Sequence, residues 1–260
     1  MRTYMEEYNY WLASDVVDSK TKEELQSIAG NEAEIEGRFK AMLTFGTAGL
    51  RGTMKAGIAN MNVYTVRYAT QGLANLIIAQ GGQIGGDSPE GNGVAIAFDS
   101  RNNSGLFAKE AASVLAANGI KSYLFDALRP TPELSFAVRE TGSIAGINIT
   151  ASHNPKEYNG YKAYWADGAQ LGPEHADVVS AEIAKIDIFK DVRTMDFDKA
   201  LEEGLVEMLG AEMDEIYLKN VMAASITRKY IDQVAKEMKI VFTPFHGAGY
   251  KLVPEILRRQ

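Results

Sequence analysis

Val94-Ala95-Ile96-Ala97-Phe98-Asp99-Ser100-Arg101 holds five apolar residues in a row and then stops at a charged loop. A short apolar run without alternation is what a strand buried on both faces requires. Downstream, a helical pattern runs from about Ser104 to Asn118, with Gly119 placed as its C-terminal stop. Lys121–Phe125 reads as the next strand and Pro132–Glu140 as the next helix, proline suiting its first turn. Ser143–Ile149 reads as a third strand. Strands alternating with helices predict an α/β fold, a layered domain with a mixed sheet and flanking helices. In such open sheets ligands gather beyond the carboxyl ends of the strands. Asp99-Ser100-Arg101, Arg129-Pro130-Thr131-Pro132 and Thr150-Ala151-Ser152-His153 are all expected at that edge.

Residues 4–40 read as two or three short helices, with Ser19 or Thr21 capping Lys22–Ile28 and Gly30 ending it. Phe45-Gly46-Thr47-Ala48-Gly49-Leu50-Arg51-Gly52 reads as a loop that exposes its backbone, before a helix from about Val63 to Gln80. Gly81–Gly93 is linker-like. After Ser152, Tyr161–Tyr164 and Gln170-Leu171 predict two short strands around a turn at Asp167-Gly168, and Pro173–Ile186 a helix. A charged connection spans 187–205, and the pattern from Glu207 to Val221 is helical. Lys239–Phe242 reads as a new strand and Tyr250–Arg259 as a helix. The division expected is residues 1–205 as one domain with an N-terminal helical extension, and 206–260 as the incomplete start of a second, similar domain.

The 260 residues carry a formal net charge of −7 and no cysteine. Disulfide frameworks, thiolate metal sites and thiol catalysis are thereby excluded. A mildly acidic chain has no general electrostatic reason to bind nucleic acid or an anionic membrane. No stretch resembles a signal peptide or reaches the roughly 20 apolar residues of a membrane span. The expected location is the cytoplasm.

Ser152 is the candidate nucleophile. A serine hydroxyl needs a base, a metal or a positive pocket to take part in group transfer. Nearby sequence supplies His153, Asn154, Lys156 and Lys162, and Asn159-Gly160 lets the chain bend back so that Lys162 approaches Ser152. Phosphoryl transfer asks mainly for positioning and charge neutralisation, which such a surround offers. There is no Gly-x-Ser-x-Gly elbow, which weighs against a hydrolase. On composition alone, Ser-His-Asn-Pro also reads as a plain turn. Arg101 has two readings, a phosphate ligand at the strand end or an Asp99–Arg101 pair that fixes the loop. Arg129 reads as shaping a rigid turn, His175 as a surface residue, and Trp11 and Trp165 as packing residues.

Thr150-Ala151-Ser152-His153-Asn154-Pro155, followed by Asn159-Gly160-Tyr161-Lys162, resembles the phosphoserine loop of the α-D-phosphohexomutase superfamily. Phe45–Gly52 resembles that superfamily's amino-terminal loop, and Phe245-His246-Gly247-Ala248-Gly249 a loop of its second domain. Lys156-Glu157-Tyr158-Asn159-Gly160-Tyr161 is similar to the phosphoglucomutase/phosphopentomutase branch. The resemblance implies that Ser152 carries the transferred phosphate and that His153 lies beside phosphate and sugar oxygens. It implies that Lys162 helps in proton transfer and that Arg51 contacts the reacting phosphate. Thr47, Arg101 and Asn154 complete the expected phosphate- and substrate-binding set. The implied substrate is a glucose, mannose or pentose phosphate, and the implied cofactor is Mg²⁺, bound in part through the phosphate on Ser152. The family's Asp-Gly-Asp-x-Asp-Arg metal segment does not occur in this sequence. The expectation is therefore an N-terminal fragment of a mutase, inactive alone, that holds Mg²⁺ weakly or not at all. Residues 207–260 are expected to be poorly ordered, domain-swapped or packed on another copy, a route to self-association. The alternative is a non-catalytic phosphate-binding or interaction module.

Overall fold

The computed structural model describes residues 2–46, 49–80, 93–226 and 228–260, with the backbone alone at Arg228. Thr47 and most of the linker-like run, 81–92, lie outside the described residues. Three helices open the chain: α1 (Tyr4–Ala13), α2 (Ser19–Ser27) and α3 (Glu32–Phe39). Thr3 and Glu6 form a capping box at α1, satisfying end donors that the helix itself leaves unpaired. Asp18, rather than Ser19 or Thr21, caps α2, because its carboxylate accepts from the Thr21 amide at 2.9 Å. These helices bury Trp11 completely, edge-on to Phe39, Tyr64 and Phe189.

The central elements are β1 (Leu50–Thr53), α4 (Val63–Ala79), β2 (Gly93–Phe98), α5 (Ser104–Ala117), β3 (Lys121–Phe125), α6 (Thr131–Glu140), β4 (Ala145–Ile149), β5 (Tyr158–Trp165) and α7 (Pro173–Ile183). They continue as α8 (Phe197–Glu202), β6 (Val206–Leu209) and α9 (Ala211–Ala223). One six-stranded mixed sheet has the order β1-β5-β4-β2-β3-β6. β4, β2, β3 and β6 run parallel, and β5 is antiparallel to both β4 and β1. The mixed α/β architecture expected from the sequence is the one observed.

The chain moves from β2 outward to β3 through α5, then back across β2 to β4 through α6. Right-handed crossovers in opposite directions put the two helices on opposite faces. Accordingly Val94 and Ile96 of β2 join the core under α4 and α5, while Ala95 and Ala97 join a second core with Leu134, Ala137 and Val138 of α6. Burial on both faces is why β2 shows no alternation. Past their carboxyl ends, β2 leads away to β3 and β4 leads the other way to β5. Loops that diverge in this way bound the crevice that is the usual ligand position in open α/β sheets.

Three expectations are corrected. β1 lies within the loop predicted at Phe45–Gly52; its strand character comes from pairing with β5, Leu50 opposite Tyr161. Val206–Leu209 is not the start of a helix. It is the edge strand of the first sheet, paired with Ser122–Phe125, and this puts the boundary expected at 205/206 inside the first unit. Lys239–Phe242 forms no strand among the described residues. Beyond α9 come α10 (Arg228–Val234) and α11 (Leu252–Arg259), and α11 is tied to α9 by an Arg259–Glu215 ion pair. The segment between them holds turns and a short 3₁₀ helix (Ala248–Tyr250) and is largely exposed, Val241 by 96% and Phe245 by 86%.

Gly160 gives a sharp test of the sheet. A Cβ there would lie 2.6 Å from the Thr150 carbonyl oxygen and 2.9 Å from that of Leu50, backbone on both sides. Gly160→Ala is expected to cost about 3 kcal/mol, because neither strand can give way without breaking its ladder. Urea unfolding checks this, and a midpoint equal to that of the natural sequence would show that the strands are not so closely set.

Candidate functional site

The loop between β4 and β5 carries Ser152. Its walls are local: Thr150 N–H donates to Gly160 O at 2.9 Å, and Asn154 N–H to Ala151 O at 3.1 Å. Ser152 itself has φ 56°, a left-handed conformation that costs a residue with a Cβ roughly 1–2 kcal/mol. Its amide donates to Thr150 Oγ1 at 3.0 Å, which helps hold that turn. The result is an exposed hydroxyl at the sheet's crevice.

Lys162, four residues into β5, folds back beneath it. Its Nζ donates to Ser152 Oγ at 2.8 Å. Burial holds the Lys162 ammonium below its ordinary pKa, and the charge of Arg51 adds to this while Asp99 opposes it. Arg51 reaches the same loop from β1, its Nη1 donating to Asn154 Oδ1 at 3.0 Å. Arg51 is placed there by Gly49, where φ is +76° and a Cβ would meet Tyr161 O at 1.9 Å. Only glycine permits that approach. His153 is exposed on the loop next to Ser152. The structure thus brings together Ser152, Lys162, Arg51, Asn154 and His153.

Of the two readings of Arg101, the structure shows the Asp99–Arg101 pair that fixes the loop. Its Nη1 donates to Pro155 O at 2.8 Å and Tyr158 O at 3.1 Å. Its Nη2 donates to Ser152 O and Asn154 O, both at 2.6 Å. Nε faces Asp99 Oδ2 at 3.3 Å. The two Nη groups are thus taken up by four loop carbonyls and Nε sits against Asp99, so the fork is turned to the loop.

Arg129 does more than shape a turn. Its side chain is fully buried and forms a two-point ion pair with Asp214 of α9, at 2.6 and 3.0 Å. His175 is not a free surface group either; its ring lies 4.5 Å from that of Trp165. His246 approaches the crevice only through its carbonyl, which accepts from Ser100 Oγ.

The donor set does not suit Mg²⁺ by itself. That ion takes oxygen ligands, chiefly carboxylates, phosphates and water. Ser152 Oγ is met by an ammonium, and Asp99 spends Oδ1 on Arg101 N–H and Ser104 Oγ. Among the described residues no three His, Asp or Glu side chains gather as a metal site. No helix among them is long and apolar enough to cross a membrane.

Fold and site together define a three-layered α/β domain that presents an exposed serine to a lysine beyond the end of β4, with an arginine bound to the same loop. The comparisons narrow this class. The family model for phosphoglucomutase/phosphomannomutase, alpha/beta/alpha domain I, matches residues 42–189. The chain belongs to the phosphoglucomutase/phosphomannomutase family. It is 38% identical over 256 residues to a phosphoglucomutase of Staphylococcus saprophyticus, covering 98% of this chain and 42% of that protein. It is 36% identical over 231 residues to a phosphoglucomutase of Staphylococcus aureus N315, covering 87% of this chain and 39% of that one. The chain therefore spans about two fifths of the length of these relatives. Two crystal structures share the fold. One is a Thermus thermophilus protein assigned as a phosphomannomutase, with TM-score 0.66, 24% identity, and coverage of 84% of this chain and 43% of that one. The other is the open form of parafusin, a Paramecium phosphoglucomutase, with TM-score 0.63, 18% identity, and coverage of 83% and 42%.

Proposed function

We propose that this chain is the phosphate-carrying part of a phosphosugar mutase and that Ser152 bears the transferred group. The observation that carries the reading is the 2.8 Å contact between Lys162 Nζ and Ser152 Oγ. In the cycle, a sugar hydroxyl attacks the phosphorus on Ser152 and gives up its proton, the P–Oγ bond breaks, and Ser152 Oγ takes up a proton, so that none is gained or lost overall. The bisphosphorylated sugar turns over, and Ser152 then attacks the other phosphate to regenerate the phosphoserine. Lys162, with its lowered pKa, can give a proton to Oγ on departure and take it back on attack. Arg51 and Lys162 offset part of the roughly −1.5 to −2 charge that a phosphoserine carries. The substrate class is a glucose, mannose or pentose phosphate. Mutase turnover by the 260-residue chain alone is not expected, because the groups around Ser152 do not supply a metal site.

Mass spectrometry tests the reading. The whole enzyme to which this chain contributes, treated with glucose 1,6-bisphosphate, should gain about 80 Da, one phosphoryl group, on the peptide containing Ser152. Phosphate on another residue, or none on that peptide, would overturn it.

A further inference from the structure

Ser152 sits on an exposed loop that has little apolar packing of its own. Ser152, His153, Pro155, Lys156 and Glu157 are all exposed. Its backbone carbonyls nevertheless converge on one group. Four of them, from Ser152, Asn154, Pro155 and Tyr158, accept from the guanidinium of Arg101 at 2.6–3.1 Å. The remaining N–H, on Nε, faces Asp99 Oδ2. Asp99 is itself held, Oδ1 accepting from Arg101 N–H at 3.0 Å and Ser104 Oγ at 2.8 Å. Ser104 Oγ in turn accepts from Asn159 Nδ2 at 3.0 Å, at the far end of the loop. The Arg101 side chain is 12% exposed and that of Asp99 19%, although the loop carbonyls it binds lie nearer the surface.

We propose that Arg101 is a positioning residue for Ser152: by gathering four loop carbonyls on one planar fork, it fixes the left-handed backbone that aims Oγ at Lys162. The inference rests on the reading of Ser152 given above and adds a residue that touches no ligand. Geometry carries it. A planar guanidinium offers five N–H donors in fixed directions, and here the two Nη groups meet four carbonyls while Nε faces Asp99. A lysine ammonium has three donors on one atom and cannot span the same carbonyls. Ser152 also needs an external restraint, because its positive φ would otherwise relax toward the extended or right-handed regions.

The test compares the chain with Arg101→Lys and Arg101→Met. Hydrogen exchange is read on the 150–160 peptide, whose Asn154 and Tyr158 amides close the loop onto Ala151 and Pro155. The pH profile of Lys162 acylation is read alongside. In both variants the loop amides should exchange at least about tenfold faster, while those of β2 and β4 stay protected. The Lys162 profile should move up toward that of an ordinary lysine as the loop opens it to water. A residue that only supported the fold would not move that profile while the sheet stayed protected. Unchanged loop exchange and an unchanged profile in both variants would overturn the proposal. So would equal loss of protection across the sheet in Arg101→Lys. The mutase reading fails separately, by absence of phosphate from the Ser152 peptide of the whole enzyme after treatment with the sugar bisphosphate.

Discussion

In the whole enzyme, Ser152→Ala is expected to abolish phosphoenzyme formation, with a loss on the order of 10⁴ or more in the rate of labelling, as removal of a nucleophile does elsewhere. No neighbour among the described residues can take over. Thr150 Oγ1 is the next hydroxyl in the loop, but Thr150 is buried and its oxygen accepts from the Ser152 amide. Lys162 Nζ points at Ser152 Oγ and not at any other described hydroxyl. The same position permits a control that separates chemistry from folding. At φ 56°, alanine retains the strain of a Cβ in the left-handed region, and glycine does not. Ser152→Gly should therefore be about 1 kcal/mol more stable than Ser152→Ala, with both unphosphorylated. Intact mass after treatment with a sugar bisphosphate, and urea unfolding, check the two halves. Undiminished labelling of the Ala variant would remove Ser152 from its role.

The parts of this molecule that are legible in the sequence are those whose signal is local. β2 announces itself because a strand buried on both faces is apolar at every position, Val94 through Ala97. Ser152 and Lys162 are legible as a pair because ten residues of hairpin bring them together. The parts that are not legible depend on partners far along the chain. β1 is four residues with a glycine, and only the β5 backbone opposite makes it a strand. Val206–Leu209 carries apolar residues that merge with the pattern of α9, and pairing with β3 decides its state. Lys239–Phe242 has the composition of a strand, but no described strand lies beside it. Arg101 reads in two ways from sequence, because bonds to backbone carbonyls leave no signature in side-chain identity. Arg129 reads as a turn residue, because its partner Asp214 lies 85 positions away.

That distant partner makes Arg129→Met the substitution with the largest expected cost to stability, about 3–5 kcal/mol in urea unfolding, the usual penalty for stripping one member from a buried ion pair. The Arg129 side chain has no exposure and serves three acids: Asp214 at 2.6 Å, Asp126 at 3.1 Å and Glu133 at 3.7 Å. Against the upward effect of burial, hydrogen bonds from Arg129 and Lys251 hold Asp214 below the ordinary carboxylate range. Glu133 goes the other way. It is wholly buried, and burial, followed by the Asp214 carboxylate nearby, pushes it up to about 8. The signs then follow from proton counting. Between the ordinary carboxylate range and about pH 8, the folded chain holds a proton on Glu133 that the unfolded chain has lost, so stability falls as pH rises through that window. For Asp214 the contribution is lost as pH falls through its lowered folded value. Glu133→Gln, which keeps the shape without the charge, should flatten the decline between about pH 5 and 8, a slope of up to about 1.4 kcal/mol per unit. Urea midpoints across that range decide the matter: a natural sequence as stable at pH 8 as at pH 5 would show that Glu133 is not held as the neutral acid beneath the Arg129–Asp214 pair.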